Sequence, residues 1–188
     1  MKNFKISDIL KPVIVLTAIC LVTSALLAYT NSLTAPVIEE NNIKNANATK
    51  AVVLADAANF TDEANGNIEY SVGTDASGAV AGYVFTTTAK SYGGEISVMV
   101  GIKADGTVSG VELLSINDTP GLGMNAKNPD FLAQFVGKIS GIAVNKNNPT
   151  ENEIKALTGA TVTSKAVTAA VNTALDYYAE VTGGVNNG

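Results

Sequence analysis

Residues 13–29, VIVLTAICLVTSALLAY, are 17 consecutive apolar or small residues that cannot remain in water as an isolated stretch. No charge appears between Lys11 and Glu39, so the run extends through residue 33. This length suits one helix across the roughly 30 Å hydrocarbon core of a bilayer. Lys2, Lys5 and Lys11 precede the run, while Glu39 and Glu40 are the first charges beyond it. The asymmetry predicts a cytoplasmic N-terminus and puts residues from about 34 onward outside. A cleaved signal peptide is the rival reading. Leu26-Leu27-Ala28 places a bulky residue where cleavage needs a small one. In Thr17-Ala18-Ile19-Cys20 an isoleucine precedes the cysteine and the apolar run continues past it, unlike a lipoprotein site. The expectation is a retained anchor, with Cys20 an ordinary small apolar residue in the helix.

The remaining composition removes whole classes of chemistry. The 188 residues contain no histidine, no tryptophan and one cysteine. Zinc sites on Cys and His, iron–sulfur clusters, His-ligated haem, disulfide frameworks and His-based catalytic triads all lack their ligands. Any redox or electrophilic chemistry would have to come from an organic cofactor or a hard cation on carboxylates. All twelve cationic side chains are lysine, and residues 12–188 carry nine lysines against sixteen acids. An acidic chain without arginine is a poor partner for nucleic acid, and that class is excluded.

Beyond the anchor, Pro36 opens a stretch with Val37, Ile38, Ile43, Ala51 and Leu54 at loosely helical spacing, read as a helical stalk. Residues 59–67 are polar and break the pattern. Strands are expected over 67–73, 79–89, 95–103 and 107–116, with Asp75-Ala76-Ser77-Gly78 and Ala104-Asp105-Gly106 as hairpin turns. Residues 130–138 read as a short amphipathic helix carrying Phe131, Leu132 and Phe135 on one face, and 139–144 as a further strand. Residues 163–182 place Val167, Ala170, Val171, Ala174 and Tyr178 on one helical stripe. Strands followed by helices define an α+β class, a mainly antiparallel sheet packed with helices behind a single transmembrane helix. The implied division is 1–11 cytoplasmic, 12–33 transmembrane, 34–58 stalk, 59–182 folded domain and 183–188 tail.

Three segments can carry chemistry. Thr158-Gly159-Ala160-Thr161-Val162-Thr163-Ser164 precedes the last helix, where small residues and free N–H groups form an anion seat suited to phosphate. The same residues also read as a helix cap with Thr163 or Ser164 supplying the capping oxygen. Asp118-Thr119-Pro120-Gly121-Leu122-Gly123 is a tight loop that could lie against a planar ring, or serve only as a connection. Tyr92-Gly93-Gly94 permits a bulge or an ordinary hairpin turn.

Taken together, these segments resemble one family. Thr-Gly-Ala-Thr-Val-Thr-Ser at 158–164 is similar to the flavinylation motif of the FMN-binding domain shared by the G subunit of the Rnf complex and the C subunit of the sodium-pumping NADH:quinone oxidoreductase. DTPGLG at 118–123 resembles that family's ETPGLG loop, the FxxQFxGK of 131–138 follows it, and Tyr-Gly-Gly at 92–94 with VMVG at 98–101 precedes it. The short chain favours the Rnf member of the pair. The resemblance implies a membrane-anchored electron carrier bearing FMN on Thr161 through a phosphoester. Thr158, Gly159, Ala160, Thr163, Ser164, Thr119, Gly121, Leu122 and Gly123 would contact the cofactor. It also implies a flavin transferase for maturation, other Rnf subunits as partners in an ion-translocating ferredoxin:NAD⁺ oxidoreductase, and a single-pass location in the cell membrane with the domain outside. Two positions depart from the family pattern: Lys155 stands where Asp is usual, and Asp118 where Glu is commoner. A stand-alone extracytoplasmic flavodomain and a non-redox anchored binding module are the alternative functions.

Overall fold

A computed structural model of the chain describes residues 6–183. Residues 1–5 of the expected cytoplasmic N-terminus (1–11) and 184–188 of the expected tail (183–188) therefore lie outside the described residues. The first helix, α1, runs Ile6–Val53. Within it Pro12–Ala35, 24 residues with mean hydropathy 2.2, is long and apolar enough to cross a membrane by length and composition. At 1.5 Å per residue it extends about 36 Å. Its threonines are satisfied within the helix: the hydroxyls of Thr17, Thr23 and Thr30 donate to backbone carbonyls one turn earlier, at 2.9 Å each. That is the way a helix in lipid accommodates threonine.

The folded part, from residue 47 onward, is a unit of its own among the described residues. It is built on a five-stranded antiparallel meander in the order β1-β2-β3-β4-β5. The strands are β1 Asn59–Asn65, β2 Ile68–Thr74, β3 Val80–Lys90, β4 Glu95–Lys103 and β5 Val108–Ser115. Four of them match the alternating runs in the sequence, and β4 has the predicted bounds. β1 is the difference. Six of its seven residues are exposed, so it has no apolar face to announce it. It forms by pairing along the whole length of β2, from Asn59↔Thr74 to Asn65↔Ile68. Asp62 fastens this edge, accepting from Lys50 Nζ at 2.6 Å and from Ser71 Oγ at 2.5 Å.

One face of the sheet is covered by α3, Thr161–Val181. The predicted stripe of Val167, Ala170, Val171 and Ala174 is fully buried there, against Phe85, Val98, Val100 and Ile102. The Thr87 hydroxyl donates to the Ala170 carbonyl at 2.9 Å, and Tyr178 meets Tyr83 edge-on with centroids 5.5 Å apart. The predicted helix at 130–138 is shorter, α2 Pro129–Leu132 followed by a 3-10 turn Ala133–Phe135, because Gly137 takes φ +79°. Residues 139–144 yield only the short β6, Ala143–Asn145, which pairs in parallel with β7, Glu153–Lys155.

The opposite face of the sheet carries a track of four glycines, one on each of β2 to β5. Gly73 pairs with Gly82, and Gly101 with Gly110. Val53 and Leu54, at the end of α1, are buried on this track. A Cβ at Gly73 would lie 2.6 Å from Leu54 Cδ2, and one at Gly110 would lie 2.9 Å from Val53 Cα. A Cβ at Gly101 would strike the Val53 carbonyl. The missing side chains are what let a helix terminus lie directly on the backbone of the sheet. Gly101→Ala should therefore destabilise the domain by about 1–3 kcal/mol through overpacking. A thermal melt of detergent-solubilised protein checks this as a drop of several degrees in Tm; an unchanged melt would show that the helix terminus can lift off freely.

Candidate functional site

Beyond β5 the chain enters the Asp118–Gly123 loop, which is organised around one carboxylate. Asp118 is 3% exposed. Its Oδ2 accepts from the Ser91 hydroxyl and the Thr163 hydroxyl, both at 2.5 Å, and its Oδ1 accepts from the Gly93 N–H at 2.6 Å. Three segments far apart in sequence thus converge on one side chain: the Ser91–Gly94 bend after β3, the loop itself, and the first turn of α3. Burial pushes the Asp118 carboxyl up, but the hydrogen bonds from Ser91, Thr163 and the Gly93 amide outweigh it and hold the group below the ordinary aspartate value. No cation takes part among the described residues.

The convergence is tight enough to need glycine. A Cβ on Gly123 would stand 2.5 Å from Asp118 Cβ and 2.7 Å from Thr163 Oγ1. Gly159 has φ +76°, which turns the chain into α3, and a Cβ there would meet Leu122 Cδ2 at 3.0 Å. The loop and the turn before α3 are therefore in direct contact through Leu122.

Together they enclose a cavity of about 750 Å³, within the range typical of small-molecule and cofactor sites. Thr158, Gly159, Ala160, Thr161 and Thr163 line it from the α3 side. Thr119, Leu122 and Gly123 line it from the loop. Two further residues singled out in the sequence lie outside the lining. Gly121 shapes the loop with φ +75° and a carbonyl that accepts from Asn125 Nδ2 at 2.9 Å. Ser164 is buried beneath the turn.

The hydroxyls of the 158–164 motif are not equivalent. α3 begins at Thr161, with Ala160 as its cap residue and no side-chain cap. The expected capping by Thr163 or Ser164 is thus corrected. Thr163 is turned to Asp118, and Ser164 Oγ donates to the Ala160 carbonyl at 3.0 Å while accepting from the Leu157 N–H at 2.9 Å. A tertiary partner outcompetes the local cap rule at Thr163, and the turn's own backbone does so at Ser164. Among the described residues no hydrogen bond engages the hydroxyl of Thr158 or Thr161. Thr161 is half-buried and Thr158 exposed.

Seven lining residues lie outside the sequence-based set; Ala156, Leu157 and Val162 add apolar wall, and the other four bring a polar or aromatic side chain. Asp118 was visible as the one acid in an otherwise uncharged loop, and Tyr92 as the aromatic ahead of paired glycines. Lys146 and Asn147 come from the β6–β7 connection, an asparagine-rich stretch that reads as an ordinary turn.

The Asp118 network predicts a pH dependence. A carboxylate more acidic folded than unfolded contributes its full stability above the unfolded value, near 3.8, and loses it as pH falls through the lower folded value. Asp118→Asn should cost about 1–3 kcal/mol at pH 6, because at least one donor loses a charged acceptor. Urea midpoints measured from pH 6 downward should show this gap closing below pH 3.8; a constant gap would mean that the carboxylate charge is not what holds the three segments.

The chain is similar to known proteins. Residues 91–176 match the family model described as FMN-binding domain, and residues 1–52 match the RnfG N-terminal region. One relative is the G subunit of the proton-translocating ferredoxin:NAD⁺ oxidoreductase complex of Clostridium ljungdahlii. It is 35% identical over 170 residues, covering 90% of this chain and 91% of that protein. Another is the G subunit of the Na⁺-translocating ferredoxin:NAD⁺ oxidoreductase complex of Acetobacterium woodii, 36% identical over 185 residues, covering 88% and 89%. Among solved structures, NqrC of Shewanella oneidensis superposes with a TM-score of 0.51 at 20% identity, over 64% of this chain and 66% of that one. The last likeness shows a shared fold: an antiparallel sheet packed with helices.

Proposed function

The chain belongs to the family of G subunits of the Rnf ion-translocating oxidoreductase complexes, and from that premise we propose that it carries FMN covalently on Thr161, outside the membrane, as an electron relay. The domain is an FMN-binding domain, and its relatives are subunits of ferredoxin:NAD⁺ oxidoreductases that translocate protons or Na⁺. The proposed anchor is residues 12–33, with the N-terminus cytoplasmic, the stalk at 34–58 and the flavin domain at 59–182. Its partners are the remaining subunits of the complex, with a flavin transferase needed for maturation.

The observation that carries the reading is the state of the four motif hydroxyls. Thr163 and Ser164 are buried and committed to internal hydrogen bonds, whereas Thr161 opens the helix on the cavity wall. A phosphate esterified there would meet the free N–H groups of the first turn of α3, where the helix dipole favours negative charge. The cavity volume and its mixture of threonine, glycine and leucine fit a cofactor with one anionic and one planar end. FMN, once bound, accepts electrons singly or in pairs. The protein supplies attachment, orientation and a fixed electrostatic surround. Leu122, 43% exposed at the rim, offers an apolar surface to the ring.

Intact-mass spectrometry of protein co-produced with a flavin transferase tests the assignment. Thr161→Ala should give folded, membrane-inserted protein without the FMN increment. Thr163→Ala should keep the increment and lose about 1–3 kcal/mol, since Asp118 forfeits a buried donor. FMN retained on Thr161→Ala would overturn the site, and a wild-type protein without FMN would overturn the function in favour of a non-redox module. In the loaded protein, Leu122→Asp should shift the flavin absorbance while leaving attachment intact; an unchanged spectrum would reduce the loop to a connection.

A further inference from the structure

The cavity wall supplied by the β6–β7 connection carries the site's only positive charge among the described residues, Lys146. The connection is strapped at both ends. The Asn147 N–H donates to Asn145 Oδ1 at 3.1 Å, Asn145 Nδ2 donates to Glu153 Oε2 at 3.1 Å, and the Thr150 N–H donates to the same oxygen at 2.8 Å. Lys146 therefore projects from a braced loop, not from a loose one. No ion pair engages its ammonium among the described residues. The one acid in the lining, Asp118, has both oxygens occupied by neutral donors. An unpaired lysine held at this mouth runs against the chain's general excess of acids.

We propose that Lys146 sets the redox potential of the flavin by stabilising the charge that reduction places on the ring. The proposal rests on the reading above that this cavity holds FMN. Uptake of two electrons and one proton leaves the ring with one negative charge that the oxidised ring lacks. Lys146 is exposed at the mouth of the same cavity, and a cation there favours the reduced form with an effect that salt screens. The phosphate end has its own partners in the first-turn amides of α3. This leaves the ammonium of Lys146 for the ring, and makes Lys146 a positioning charge, not a reacting group.

The test uses full-length, FMN-loaded protein in detergent, reduced by dithionite in equilibrium with a dye of known potential. Wild type, Lys146→Met, Lys146→Arg and Lys90→Met are compared, Lys90 being an exposed lysine at the end of β3 outside the cavity. All four should carry the same FMN mass increment. At one dye potential, the reduced-to-oxidised ratio of Lys146→Met should fall roughly tenfold, the size expected on removing a unit charge from such a cavity. Lys146→Arg should restore it to about the wild-type ratio, and Lys90→Met should leave it unchanged. The fall should shrink as salt is raised. An unchanged ratio in Lys146→Met, or an equal fall in Lys90→Met, overturns the proposal. So does loss of the FMN increment in Lys146→Met, which would assign the lysine to attachment. A wild-type protein without FMN is a separate outcome, read by mass and not by potential; it overturns the functional reading and this inference with it.

Discussion

Everything at the candidate site depends on a single buried carboxylate that is satisfied without a cation. Asp118 receives two hydroxyls and one amide, drawn from the bend after β3 and the first turn of α3. Charge-assisted hydrogen bonds of this kind are about twice as strong as neutral ones, and leaving such a group unpaired in the interior is severely unfavourable. The bend after β3, the PGLG loop and the start of α3 can therefore come together only in one arrangement. The cavity is a consequence of that arrangement. Part of its wall is formed by the segments that Asp118 draws in, and the β6–β7 connection closes another side.

The same network sorts the hydroxyls next to it. Thr163 gives its proton to Asp118 and Ser164 gives its own to the Ala160 carbonyl, so two of four similar side chains are withdrawn into the structure. Under the proposed attachment at Thr161, the fold of this chain already narrows the hydroxyls on offer to Thr158 and Thr161. The two departures from the family pattern differ in kind. Asp118 keeps the carboxylate at the centre of the network. Lys155 sits at the exposed end of β7, where its N–H donates to Gln134 Oε1 at 2.7 Å, and its side chain is outside the main cavity lining.

Much of this was legible in the amino-acid sequence, and the exceptions have physical reasons. β3, β4 and β5 carry β-branched and aromatic residues between clear turns, and α3 carries a continuous apolar stripe; local pattern was sufficient for both. β1 was missed because an edge strand exposed on both faces has no periodicity, and its existence depends on Lys50 and β2. The capping expectation failed because Thr163 sits within reach of Asp118, 45 residues away, and no local rule contains that partner. Thr158, Gly159 and Leu122, which line the cavity, stand out in the sequence as a small-residue turn before a helix and a glycine-flanked loop, and by motif resemblance. Lys146 does not, since its only distinction is where the β6–β7 connection ends up.

The glycine track beneath Val53 and Leu54 makes the volume of the helix end and the floor of the sheet depend on each other. These two residues fill a groove whose floor is bare backbone on four adjacent strands. Trimming Leu54, which is fully buried, opens a void that costs about 2–5 kcal/mol. A single carbon added to the floor meets atoms that include the backbone of Val53 itself. The junction is therefore held from both sides: the helix end cannot shrink and the groove cannot fill without loss of stability. A change on one side is best tolerated when the facing side changes volume in the opposite sense.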